Sequence, residues 1–117
     1  MVDFFDVRTE DEASFREAWT AAAPAGATLH RALREDVRPR YVALSDPPGP
    51  DAGALLLAER PEDWDAIVAR WTPRQGFISA RVDGDLAIVH WSSPLMYQRA
   101  VQAEGDLMPR AAVYARA

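Results

Sequence analysis

The stretch Gln75–Pro94, QGFISARVDGDLAIVHWSSP, decides the fold. Phe77–Val82 and Leu86–Trp91 have the apolar character typical of strands, and the Asp-Gly-Asp sequence between them is typical of a tight hairpin turn. Ser93 is a favourable N-cap and Pro94 a favourable first helical residue. This stretch therefore predicts two antiparallel strands that lead directly into a helix.

The flanking sequence extends this hairpin on both sides. Upstream, a helix starts near Pro61 and shows an apolar stripe with helical spacing. Its end is predicted by Pro73 and Gly76. Downstream, the helix that begins at Ser93 runs to about Ala103 and stops at Gly105. The stripe consists of Trp64, Ile67, Val68 and Trp71, and the outermost predicted strands are Ala54–Ala58 and Ala111–Ala115.

The first half of the chain repeats the strand-helix-strand-strand part of this order. Thr9 and Glu12 have the spacing of a capping box at the start of its helix. Arg31 of the first half falls on Arg81 of the second. The two half-repeats cover about residues 2–46 and 54–116, on either side of a Pro/Gly loop at 46–53. The predicted elements are a strand around Phe4, Phe5 and Val7, a helix with the stripe Phe15, Ala18, Trp19 and Ala22, and strands at Ala27–Arg34 and Arg40–Ser45.

Composition restricts the class of protein. With 117 residues, the chain is expected to form a single domain over residues 1–117. A net charge of -5 argues against nucleic acid or an anionic membrane as the partner. The absence of cysteine excludes disulfides, thiolate metal sites and cysteine nucleophiles. The start of the sequence does not have the pattern of a signal peptide, so we expect a cytoplasmic protein, and the absence of Lys and Asn suggests a high-GC bacterial source.

Two short motifs resemble the antibiotic biosynthesis monooxygenase family. They are QGFISAR at residues 75–81 and IVHWSSP at residues 88–94, and the resemblance covers about residues 54–115. It implies an α+β, ferredoxin-like antiparallel sheet with helices on one face, of the dimeric α/β-barrel type. The internal repeat adds strands beyond one such unit.

The resemblance also implies an activity and a site. Family members that oxidise phenolic polyketides to quinones use neither metal nor flavin, so no cofactor is expected. Trp91 and Tyr97 match the family's active-site Trp and Tyr and are the candidate catalytic residues. Ala87 stands where the family has an Asn, and Asp83 lies near the place of its His. A cofactor-independent oxygenase of an aromatic polyketide-type phenol is therefore expected, with one hydrogen-bond donor missing.

Ala87, Arg81 and His90 are the candidate substrate-binding residues. Ala87 shares a strand face with Trp91, whereas alternation points His90 to the other face, towards a contact between sheets or in a dimer. Arg81 could orient an acidic substrate or lie solvated at the surface. His30 and His90 have no metal-ligand spacing, so no metal is expected.

Three classes of function are open at this point. The first is the oxygenase, which acts on a small aromatic molecule. The second is a non-oxidising ligand-binding or polyketide-cyclase-like protein of the same fold, which the missing Asn favours. The third is a structural module without a ligand. In each case a homodimer is expected, because an antiparallel sheet with helices on one side leaves an apolar face that a second copy could cover. If the two repeats pair within one chain, a monomer is expected instead.

Overall fold

The computed structural model describes residues 2–49 and 51–117, which form an α+β protein with seven strands and three α-helices. A short 3-10 turn, Thr9–Asp11, precedes the first helix. The strands are β1 (Val2–Phe5), β2 (Thr28–Ala32), β3 (Tyr41–Leu44), β4 (Ala54–Glu59), β5 (Phe77–Asp83), β6 (Leu86–Trp91) and β7 (Ala112–Arg116), and the helices are α1 (Glu12–Ala22), α2 (Trp64–Trp71) and α3 (Pro94–Glu104).

All seven strands belong to one curled, antiparallel sheet with the order β1-β3-β2-β7-β4-β6-β5. The first half of the chain contributes β1, β3 and β2, and the second half contributes β7, β4, β6 and β5. The two halves join where β2 pairs with β7, with His30 opposite Arg116 and Ala32 opposite Tyr114. The halves of the predicted repeat therefore pair within one chain, through backbone hydrogen bonds of a continuous sheet.

The stretch that decides the fold forms the predicted hairpin and helix. Gly84 turns the chain between β5 and β6 with a φ of 62°, a backbone conformation that glycine adopts without strain. At the start of α3, the Ser93 hydroxyl accepts a hydrogen bond from the Met96 backbone N–H at 3.3 Å, as expected for an N-cap. Gly76 combines a φ of 88° with a position where a Cβ would collide with Met96. Glycine at this position therefore lets α3 approach β5 closely.

The sheet has two apolar faces, and the three helices cover one of them. Helices α2 and α3 pack on the β4–β6 part of this face, where Leu56, Val89 and Trp91 are buried. Helix α1 packs on the β2–β3 part, where Leu29 and Tyr41 are buried. The opposite face curls onto itself and encloses a second core, which consists of Ala32, Val42, Leu44, Leu55, Leu57, Ile88 and Tyr114.

The curl changes the basis for the expected homodimer. The sheet face that carries His90 and Ile88 was expected to need a second copy to cover it. His90 is 1% exposed and Ile88 is fully buried, because strands of the first half cover this face within the chain. This face therefore gives no reason for dimerisation.

The predicted capping box at the start of the first helix is wrong. Thr9 begins the 3-10 turn, and no side chain caps either this turn or α1. The Glu12 carboxylate accepts hydrogen bonds from Arg31 Nε and from the Tyr41 hydroxyl, each at 2.7 Å. Because these partners are on β2 and β3, Glu12 attaches the helix to the sheet instead of capping it.

Candidate functional site

Trp91 is the centre of an aromatic cluster that also contains Trp71, Phe77 and Tyr97. The Trp91 ring lies edge-on to Trp71 with the centroids 5.5 Å apart, and edge-on to Phe77 at 5.7 Å. The ring of Tyr97 lies 6.0 Å from Trp91 and 6.1 Å from Trp71. Edge-to-face pairs of this kind contribute about 0.5–1.5 kcal/mol each beyond their burial. The cluster therefore joins α2, β5, β6 and α3 and fixes the Trp91 ring.

Two indole N–H groups in the aromatic cluster are unsatisfied. Trp71 Nε1 and Trp91 Nε1 are both buried and have no hydrogen-bond partner among residues 2–49 and 51–117. A buried donor without a partner typically costs about 1–3 kcal/mol. Both side chains are fully buried, so these donors lie inside the core and not at its surface.

Tyr97 is the member of the aromatic cluster that reaches a surface cavity. It lies one turn into α3 and lines a groove with a volume of about 370 Å³, the Tyr97 groove. Trp91 does not line this groove. The groove is bounded by α3, by the segment between α3 and β7, and by the β2–β3 connection; its lining consists of Leu33, Arg34, Val37, Pro94, Tyr97, Gln98, Asp106, Met108, Pro109, Ala111, Ala112 and Val113.

The Tyr97 hydroxyl is held in its protonated form. Burial, together with the negative charge of Asp106, raises the pKa of Tyr97 to about 12. At neutral pH the hydroxyl can therefore donate a hydrogen bond and does not act as a phenolate base. Arg34 and Gln98 add polar groups to the same groove, so its wall is apolar with a few polar side chains. This combination is typical of small-molecule sites.

Ala87 lies on the same sheet face as Trp91 but outside the Tyr97 groove. It is fully buried in the core beneath α2 and α3, opposite Ala58 of β4 and Val82 of β5. Four residues of strand separate it from Trp91 by about 13 Å. The structure therefore brings Trp91 and Tyr97 together and leaves Ala87 apart from them.

Arg81 and His90 lie on the opposite, enclosed face of the sheet. His90 pairs with Leu55 of β4 and with Ser79 of β5, and Arg81 pairs with Ile88. Leu55 and Ile88 belong to the core inside the curl. Of the five candidate residues, three therefore lie on the helix-covered face and two inside the curl, and the sheet separates the two groups.

Sequence reasoning missed most of the residues that line the Tyr97 groove. Asp106 and Met108 lie in the segment between α3 and β7, and Leu33 and Arg34 lie in the β2–β3 connection. No motif marks these residues, because they meet only when β2 pairs with β7. It also missed that His30 would lie near His90, since the same pairing brings β2 inside the curl.

Comparisons with family models, with curated proteins and with solved structures give no match for this chain. Within the described residues, no helix is long and apolar enough to cross a membrane. Over the same residues, no group of three or more His, Asp or Glu side chains forms a potential metal site. The geometry of the molecule is therefore the basis for a functional assignment.

Proposed function

We propose that the second half of the chain is a ferredoxin-like unit and that the first half is a partial copy of it. The strands of this half lie in the sheet in the order β7-β4-β6-β5. If the four strands are numbered along the chain from β4, this order is fourth, first, third, second. Helix α2 lies in the connection between β4 and β5, and α3 lies in the connection between β6 and β7. Within residues 2–49, the first half has the matching order β1-β3-β2 with α1 but no second helix or fourth strand. In this interpretation the first half occupies the place of the second protomer in a dimeric α/β barrel.

We infer that the Tyr97 groove binds a small hydroxylated aromatic molecule. The observation that carries this proposal is the position of Tyr97, which contacts the buried aromatic cluster with its ring and opens onto the groove. A flat ligand can pack against the apolar wall near Leu33 and Met108 while the Tyr97 hydroxyl donates a hydrogen bond to its oxygen. Burial and Asp106 favour this donor form because both disfavour the phenolate.

Calorimetric titration with 2-naphthol, anthrone and cyclohexanol tests this proposal. We expect binding of the two aromatic compounds and none of cyclohexanol. Tyr97→Phe keeps the ring and removes the hydroxyl, so it should weaken binding by roughly fivefold or more. Failure of both aromatic compounds to bind would contradict the proposal.

Two exposed leucines provide a matched control for the location of the ligand. Leu33 lines the Tyr97 groove and is 46% exposed, whereas Leu95 is 52% exposed on α3 outside the groove. Leu33→Ala should weaken binding of 2-naphthol, and Leu95→Ala should leave it unchanged. Equal effects of the two substitutions would place the ligand elsewhere.

Oxygenation is the second candidate function, and the unsatisfied indole donors favour it. In anthrone oxidation, the ring CH2 loses two hydrogens, one oxygen atom of O2 becomes the new carbonyl, and the other leaves as water. The anionic form of the substrate must be stabilised, and N–H donors of Trp71 and Trp91 next to Tyr97 are suitable groups. This reaction requires that the substrate pass Tyr97 into the aromatic cluster, which is closed in the structure.

Oxygen uptake with anthrone in the presence of a chelator separates the two functions. Binding of anthrone without oxygen uptake supports a binding protein. The burial of Trp91 and the presence of Ala87 in place of an asparagine favour this result. Uptake that Trp91→Phe abolishes, while the protein keeps its fold, supports the oxygenase. If neither binding nor uptake occurs, both assignments are wrong.

The association state follows from the internal pairing of the halves. The first half covers the sheet face for which a homodimer was expected, so we propose that the protein functions as a single copy. Light scattering should then give a mass near 13.0 kDa. A mass near twice this value would instead support a homodimer, whose interface would lie on another surface than the enclosed sheet face.

A further inference from the structure

Three basic side chains lie together on the enclosed face of the sheet, and we call them the basic interior cluster: Arg81, His90 and His30. The register places His30 opposite the exposed Arg116, and it places His90 opposite Ser79, two residues before Arg81 on the neighbouring strand. The charge of Arg81 lowers the pKa of His90, and the charge of His90 lowers the pKa of His30. The two imidazoles, which come from different halves of the chain, are therefore electrostatic neighbours. The cluster is independent of the Tyr97 groove, which lies on the other face of the sheet.

The cluster contains several buried nitrogen atoms without a hydrogen-bond partner. Arg81 Nε and Nη2, both ring nitrogens of His90 and Nδ1 of His30 are buried and unpaired within the described part of the chain. His30 Nε2 is satisfied by the Thr28 hydroxyl at 3.0 Å. No described carboxylate forms an ion pair with Arg81. Buried guanidinium nitrogens without a counter-ion are unfavourable, so Arg81 lacks a negatively charged partner.

The two unpaired nitrogens of Arg81 define the shape of this partner. Nε–H and Nη2–H lie on the same edge of the guanidinium and point in parallel. This edge matches the two oxygens of a carboxylate and forms two parallel hydrogen bonds with it. His90 can add a third hydrogen bond, because one of its ring nitrogens carries a proton in the neutral form.

A β-bulge is the reason that Arg81 points into the curl. Phe77 pairs with Trp91 and Ser79 pairs with His90, so Ile78 is an extra residue in β5. Without this residue, strand alternation would place Arg81 on the same face as Phe77, beneath the helices. Bulges commonly re-aim a side chain next to a functional site. The sequence therefore uses an irregular strand to bury a charged side chain that a regular strand would direct away from His90.

We propose that the basic interior cluster is a binding site for a small carboxylate, held by the Nε and Nη2 edge of Arg81 and by the His90 ring. Arg81 is half-buried and lies on β5, the last strand of the sheet, so the proposed site lies next to the edge of the sheet. Formate and acetate fit this description by charge, size and the geometry of their oxygens.

NMR spectra of the imidazole rings provide the direct test, since the chain has only two histidines. The protein is titrated with sodium formate, with sodium acetate and, as an ionic-strength control, with sodium chloride. We expect saturable shifts of the His90 signals with formate or acetate and no saturable shift with chloride. Benzoate is a further probe. Shifts with formate or acetate alone indicate a free small anion, whereas shifts with benzoate as well indicate the carboxylate of a larger ligand.

Substitutions of Arg81 test the residue that carries the proposal. Arg81→Gln should weaken formate binding roughly tenfold or more, because two charge-assisted hydrogen bonds are lost. Arg81→Lys keeps the positive charge without the paired donors and should give an intermediate affinity. Arg99→Gln removes an exposed arginine of α3 and should leave the affinity unchanged.

Thermal unfolding provides a measurement on the unmodified protein. A ligand that binds only the folded state raises the Tm as its concentration increases, so formate should raise it more than equal chloride. Identical responses of the His90 signals and of the Tm to formate and chloride would overturn the proposal. Equal formate affinities of the native protein and Arg81→Gln would overturn it as well.

Discussion

The two halves of the sheet have corresponding strands, but their helices are packed to different extents. Helix α1 of the first half has no fully buried residue, and its Trp19 is half-buried. Helix α2 of the second half buries Trp64, Ile67 and Trp71, and α3 packs beside it. The second half therefore has a complete helical layer, whereas one helix alone covers the first half. We therefore expect the second half to be the more stable part of the molecule.

Arg31 and Arg81 show what one extra residue changes in the repeat. In sequence the two arginines align, but Arg31 lies opposite Tyr41 on the helix-covered face and pairs with Glu12 at 2.7 Å. Arg81 lies opposite Ile88 inside the curl and has no ion pair with any described carboxylate. The bulge in β5 is the physical cause of this difference. Equivalent sequence positions can thus have opposite environments in the two halves.

Truncation of the tryptophan in each helical layer should give the largest difference between the halves. Trp71→Ala removes a fully buried side chain that contacts Trp91 and Tyr97, so we expect a loss of about 3–5 kcal/mol. Trp19→Ala removes a half-buried side chain from α1 and should cost about 1–2 kcal/mol. Chemical denaturation measures both values, and equal losses would contradict a more stable second half.

Much of the fold could be predicted from the sequence, because its elements are locally encoded. The alternating and continuous apolar segments predict all seven strands, and helical stripes predict α1 and α2 within a few residues. The start at Ser93 and Pro94 and the stop at Gly105 predict α3. The capping box was wrong, since Glu12 finds stronger partners in Arg31 and Tyr41 once the sheet has formed. A spacing rule evaluates only local hydrogen bonds and does not include partners that tertiary structure provides.

The candidate site could be predicted only in part, for the same reason. Trp91 and Tyr97 are six residues apart in the sequence, so their proximity follows from the short connection between β6 and α3. The proximity of Leu33 and Arg34 to Tyr97, and of His30 to His90, depends on the pairing of β2 with β7. This pairing joins residues far apart in sequence, and no motif in either strand specifies it.

Acid should destabilise the junction between the halves. Burial is the main cause that lowers the pKa of His30 and of His90 from 6.5 to about 4. The charges of Arg116 and His90 add to the pKa shift of His30, and the charge of Arg81 adds to that of His90. Since the unfolded chain binds these protons at higher pH than the folded chain, stability should fall as the pH decreases from about 6.5 to 4. Each imidazole contributes up to about 3 kcal/mol to this loss.

Urea denaturation between pH 7.5 and 4 measures this effect. His30→Gln and His90→Gln together remove both titrating groups, while Arg40 and Glu35 at the other end of the curl keep their ion pair. The double variant should show a flatter pH dependence over this range. An unchanged slope would assign the acid sensitivity to carboxylates and not to the junction.

Ala87→Asn should destabilise the protein without creating an activity. The resemblance placed a carboxamide at this position as a donor for the substrate, but Ala87 is fully buried between Ala58 and Val82 and lies outside the Tyr97 groove. A larger polar side chain in this core should cost about 2 kcal/mol. Denaturation and oxygen uptake are measured on the same samples. A gain in anthrone oxidation would show that the substrate reaches Ala87.

The smallest effect concerns the carboxylates that attach the helices in each half. Glu12 joins α1 to β2 and β3 through Arg31 and Tyr41, and these two hydrogen bonds lower the pKa of Glu12 to about 2. Glu104 joins α3 to α2 through Arg70 and Arg74, whose side chains are 53% and 40% exposed. Because water screens the second group more strongly, Glu12→Gln should be the more destabilising substitution, at about 1 kcal/mol.

The pH dependence identifies the origin of the Glu12 contribution. Because the pKa of Glu12 in the folded protein lies below its ordinary value of 4.5, its stabilisation is present above about pH 4.5 and is lost as the pH falls through about 2. The difference in free energy of unfolding between the native protein and Glu12→Gln should therefore shrink over this range. Tyr41→Phe removes one donor and keeps the ring that packs on Phe15 at 4.9 Å, so it should give part of the Glu12→Gln loss. If Glu104→Gln proved the more destabilising change, the exposure of the partner arginines would not determine how strongly these carboxylates attach the helices.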